Sequence, residues 1–80
     1  MADQEILDLL TRTLRDLLMD DSIVLTMTTR REEVRNWDSL VYINFIVAVE
    51  IELGIKFKIA DVESFASVGE IVAKIRTMVK

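Results

Sequence analysis

Fifteen residues lie between Asp38 and Gly54, SLVYINFIVAVEIEL, and none of them is charged before Glu50. By propensity they belong in a strand, since Val41, Ile43, Ile46, Val47, Val49 and Ile51 are all β-branched. Length overrides that preference: a strand usually runs to about five or six residues, while an aspartate before the stretch and a glycine after it are a helix's N-cap and C-cap. Tyr42, Phe45, Ile46, Val49 and Leu53 recur at i, i+3, i+4, i+7 and i+11, so one face of this helix is predicted to be core.

The rest of the chain supplies that core with partners. Ile6, Leu10, Leu14, Leu17 and Leu18 recur at helical spacing opposite Asp8, Arg12, Arg15 and Asp16, which predicts an amphipathic helix over 3–18. SIVLTMTTRREEVRN, residues 22–36, has no sustained period and is expected to be a long loop packed by its own Ile23, Leu25 and Val34. Its charge run RREEVR reads as a solvated face with at most one helical turn. After Gly54, IKFKI is expected to be extended with Ile55, Phe57 and Ile59 inward, and ADVESF to be a short helix.

SVGE, residues 67–70, has the spacing of a capping box, in which Ser67 accepts from the Glu70 amide and Glu70 reaches back. The helix it opens carries Val68, Ile71, Val72, Ile75 and Val79 on one stripe, with Lys74, Arg76 and Lys80 late, where positive charge suits the helix dipole. The expected fold class is all-α: a small four-helix bundle in one domain, 1–80, with a long first loop and a short third helix.

Charge and composition exclude several functions. Ten Lys and Arg against 14 Asp and Glu give a net charge of -4, which repels a phosphate backbone, so no nucleic-acid partner is expected. Without cysteine there is neither a disulfide nor a thiolate, which fits a reducing, cytoplasmic setting. Without histidine, imidazole acid–base chemistry and His-based triads are impossible. MADQEILDLL has acidic residues where an export signal carries positive charge. The apolar run Leu40–Val49 is about half the ~20 residues a bilayer-crossing helix needs, so a soluble chain without membrane association is expected. No sustained heptads occur, and a monomer is expected.

The pair Asp38-Ser39 at the head of the long helix remains. Its plainest reading is a capped helix start with serine in the first turn. A nucleophilic serine needs a base for its proton, and neither a histidine nor a nearby lysine is present in the sequence. Modification by another protein is chemically open: a hydroxyl there is accessible, and a phosphate ester would face the positive end of the dipole.

With WDSL at 37–40 behind a long loop, and an apolar helix closing in VEIELGIKF, the chain resembles the acyl carrier proteins over nearly its whole extent. That resemblance implies a 4′-phosphopantetheine group on Ser39, attached by a separate, magnesium-dependent phosphopantetheinyl transferase, with Asp38 capping the helix and aiding recognition. It further implies that the arm supplies the thiol this chain lacks and holds acyl groups as thioesters. The partners would then be acyl-loading and synthase enzymes of fatty-acid, polyketide or related specialised biosynthesis, and the chain itself no enzyme. Tethering would raise the cargo's effective concentration at a docked enzyme. A peptidyl or aminoacyl carrier and a non-carrier helical adaptor are the alternatives.

Two features depart from the family's usual pattern. Its second helix commonly presents an acidic outward side, whereas positions two, five and eight after Ser39 are Val41, Asn44 and Val47. Leu40, Val41, Asn44, Val47 and Ala48 are therefore expected to form an apolar partner-facing patch with Glu50 beyond it, docking with less salt dependence than an acidic carrier. The competing expectation buries several of them under the loop. Trp37 stands where a small or polar residue is usual, and with Tyr42 it forms the two ends of a hydrophobic staple. Phe45, Ile46, Ile59, Ile71 and Ile75 are candidates for lining an acyl-receiving interior, each also readable as plain core.

Overall fold

The computed structural model describes residues 1–79. Four helices follow in order: α1 (Asp3–Leu18), α2 (Ser39–Leu53), α3 (Ile59–Ser64) and α4 (Val68–Met78), with one 3₁₀ turn, Arg31–Glu33, inside the long first loop. This all-α arrangement is the one expected, and α1 and α2 keep their expected bounds. Lys80, expected among the late-helix cations, lies outside the described residues.

Each helix ends where its local chemistry ends it. The Asp38 carboxylate accepts from the Val41 amide at 2.9 Å, and Gly54 turns left-handed (φ 65°) so that the Ile55 amide can reach the Glu50 carbonyl at 3.1 Å. The same closure ends α1 without a glycine: Met19 takes the left-handed conformation and the Asp20 amide donates to the Arg15 carbonyl.

The core joins all four helices and the loop. Ile6, Leu10 and Leu14 of α1 meet Phe45, Ile46 and Val49 of α2 and Val68, Ile71, Val72 and Ile75 of α4, while Ile23, Leu25 and Trp37 seal it from the loop side. Leu9 is buried too, whereas Leu17, expected inward, is 40% exposed. Ile59 departs most, at 77% exposed: Phe57 is the last inward residue of the connection, and helix α3 begins at Ile59 and turns that side chain to solvent. Ile55 is half-buried against the core.

The capping box expected at 67–70 does not form; the Ser67 side chain caps nothing, and the Glu70 amide donates to the Ser67 backbone carbonyl. The loop performs the task instead. The Val68 amide donates to the Thr29 carbonyl and the Gly69 amide to the Met27 carbonyl, each at 2.8 Å, so the first free amides of α4 are satisfied by the long first loop. A turn in which the Thr29 hydroxyl accepts from the Thr26 amide at 2.8 Å presents those carbonyls.

Such an approach leaves no room for a side chain at residue 69, where a methyl group would be driven into the Met27 carbonyl oxygen. Gly69→Ala is expected to destabilise the domain: overpacking costs about 1–3 kcal/mol, and the helix preference of alanine over glycine offsets only about 1 kcal/mol of it. A lower midpoint in urea with an unchanged slope would register the effect; an equal or higher midpoint would refute it.

Candidate functional site

The site is built where the loop enters α2. Asn36 adopts a left-handed conformation (φ 68°), which asparagine tolerates, and the chain reverses there to send Trp37 inward. Trp37 is buried against Tyr42, with ring centroids 6.2 Å apart, and stands edge-on to Phe45 at 5.2 Å. The expected staple between Trp37 and Tyr42 is thus present, and Trp37 also reaches the core proper. Its indole Nε1 has no protein partner.

Fixed from below by Trp37 and from behind by the Asp38 cap, Ser39 is the first residue of α2 and is exposed. Its hydroxyl makes no hydrogen bond among the described residues, so it is not engaged in holding the fold together. The free amides of the helix start lie beside it, giving a partial positive charge that favours an anion there.

Tyr42, one turn farther along, ties the neighbouring wall in place. Its hydroxyl donates to the Val62 carbonyl at 2.6 Å and so pins α3 to α2. Burial pushes the phenol above its ordinary value, more than Arg31 pulls it down, so Tyr42 remains a neutral donor at physiological pH. Phe57 and Phe65, edge to face at 5.7 Å, close the two ends of α3, and Lys74 pairs with Asp61 at 3.4 Å.

Between the 3₁₀ turn, α2 and α3 an open groove of about 470 Å³ runs beside Ser39; Arg30, Arg31, Tyr42, Ile43, Val62 and Phe65 border it. Arg30 and Arg31 belong to the charge run that reads as a solvated face. The periodic relation of Tyr42 to Ser39, three residues on, was a usable signal for the one wall; nothing local marks the arginines, because only the fold of the loop brings them to α2.

The remaining candidate residues separate into three groups. Leu40 (71% exposed), Asn44 and Val47 are exposed as the apolar patch requires, and Ile43 and Ile51 extend the same surface. Val41 is half-buried against the core and Ala48 half-buried beside Arg12, Thr13 and Leu17 of α1. Glu50 is half-buried, and its Oε2 accepts from the Phe57 amide at 2.8 Å, so this carboxylate braces the α2–α3 connection. Of the interior candidates, Phe45, Ile46, Ile71 and Ile75 lie together in the core, and the exposed Ile59 is not among them.

No protein-family model matches the chain, and no curated protein matches it significantly. Among solved structures, the solution structure of holo acyl carrier protein from Geobacter metallireducens superposes with a TM-score of 0.82, at 37% sequence identity, covering 89% of this chain and 82% of that one. Four helices of these proportions make a carrier-domain fold, not that of an enzyme. The chain belongs to the acyl carrier protein family.

Proposed function

We propose that residues 1–80 form a single acyl carrier domain whose Ser39 takes a 4′-phosphopantetheine arm, on which acyl intermediates ride as thioesters to partner enzymes of fatty-acid, polyketide or related specialised biosynthesis. The observation that carries this reading is the placement of Ser39: exposed, its hydroxyl without a hydrogen bond among the described residues, at the positive end of a 15-residue helix and beside an open groove. The structural neighbour from Geobacter metallireducens was solved in its holo form, which supports the same assignment. Asp38 serves twice in this reading, as the cap that fixes the hydroxyl's position and as part of what the transferase recognises.

The chemistry resides in the arm, and the protein supplies attachment, orientation and docking. No base is needed near Ser39, because the transferase activates the hydroxyl. Incubation with a phosphopantetheinyl transferase, magnesium and coenzyme A tests the reading: the intact mass should rise by one pantetheinyl phosphate, mapped by peptide sequencing to Ser39. A chain that gains no mass under conditions that load another carrier is not one.

Docking is assigned to the exposed apolar stripe of Leu40, Val47 and their neighbour Ile43, with Asn44 among them. An uncharged contact of this kind loses little affinity as salt rises. Val47→Glu is expected to lower kcat/KM for transfer by the natural partner about tenfold or more, equivalent to about 1.4 kcal/mol of docking energy. Helicity should not change, since Val47 is 45% exposed. Unchanged kinetics would place docking elsewhere.

A further inference from the structure

The groove beside Ser39 brings two cations to a hydroxyl that has no need of them in the folded chain. The Arg31 guanidinium lies over the Tyr42 ring, 4.9 Å from its centroid, and Tyr42 stands one helical turn from Ser39, so cation and hydroxyl share one side of α2. Neither Arg30 nor Arg31 forms an ion pair or a side-chain hydrogen bond among the described residues. Glu33, the last residue of the turn, spends its Oε1 on the Arg30 backbone amide at 2.7 Å and not on a guanidinium. Glu32 and Glu63 also border the groove, so two arginines against two glutamates leave it formally neutral. A long-range field therefore draws no anion in; direct contacts would have to hold one.

We propose that Arg31, with Arg30 beside it, is a clamp for the phosphodiester of the arm, and that the apolar wall of Tyr42, Val62 and Phe65 receives the arm's dimethyl segment while no partner is docked. The proposal rests on the reading of Ser39 as the attachment point. A phosphodiester on the Ser39 oxygen begins at the groove's edge, where the in-plane donors of a guanidinium match its oxygens. Stacking on Tyr42 holds the Arg31 head in place before any anion arrives, so little side-chain freedom is lost on contact. Both arginines are exposed, and contacts between exposed charges are weak and fall with salt. The clamp thus holds the arm part of the time and yields it to an enzyme that binds it more tightly.

The full-length chain is loaded with an arm enriched in ¹³C, and attachment is read by intact mass before any spectrum is taken. Cross-relaxation between the arm's methyl protons and the ring protons of Tyr42 or Phe65 is expected, together with a ³¹P resonance displaced from that of the same serine phosphodiester in the urea-unfolded loaded chain. Added sodium chloride should weaken the contacts and return the resonance toward its position in the unfolded loaded chain, and Arg30→Gln with Arg31→Gln should do the same at low salt. A loaded chain without arm-to-ring contacts, and with a ³¹P resonance indifferent to salt and to both substitutions, overturns the clamp and leaves the carrier reading intact. Failure of the wild-type chain to gain mass removes the carrier reading, and the clamp falls with it. Should the double variant load poorly, the salt series on the wild-type chain gives the same comparison.

Discussion

Ser39→Ala is expected to abolish the mass gain produced by a phosphopantetheinyl transferase and coenzyme A, completely, while the domain stays folded. The two halves of that expectation come from separate atoms. Capping is done by the Asp38 carboxylate, which accepts from the Val41 amide, so removal of the Ser39 hydroxyl leaves the helix start intact. The hydroxyl has no partner among the described residues, and alanine is the better helix former by a few tenths of a kcal/mol. Circular dichroism and the thermal midpoint should therefore match the parent within a few degrees. Continued modification of the variant would move the attachment site to another hydroxyl, and loss of helicity would mean that Ser39 has a structural role that its surroundings do not reveal.

The parts of this molecule that could be read from the sequence are those governed by neighbours along the chain. Asp38 and Gly54 bracket α2 because a cap and a left-handed turn act within four residues, and the three-residue step from Ser39 to Tyr42 fixes which side of the helix both occupy. The failures are contacts made across the fold. Ser67 looked like a cap because its spacing to Glu70 is right, yet the Met27 and Thr29 carbonyls reach the α4 amides first, and no pattern near residue 67 records the approach of the long first loop. Ile59 continued an alternation that the chain abandons at Phe57 to start α3. Arg30 and Arg31 lay in a run that reads as solvated surface, which they are; their place beside Ser39 comes from the 3₁₀ turn and the reversal at Asn36.

Helix α2 poses a subtler difficulty, because it is apolar nearly all round and its pattern alone separates inside from outside poorly. Phe45→Ala and Ile51→Ala, six residues apart on that helix, are expected to give opposite results. Phe45 is fully buried, the largest such side chain in the domain, and it carries the edge of Trp37, which in turn sets the loop's entry to Ser39. Its truncation should cost about 3–5 kcal/mol, against roughly 4–12 kcal/mol of total stability for a chain of this length at the usual value per residue. At about 4–8 °C per kcal/mol, the thermal midpoint should fall by roughly 12–40 °C. The near-ultraviolet signal of Trp37 should weaken as its packing loosens. Ile51 is 78% exposed, and its truncation should change stability by about 0.5 kcal/mol or less. Comparable losses in the two variants would mean that the face assigned to docking is held inside the folded chain, and the exposed apolar surface beside Ser39 would then be unavailable to a partner.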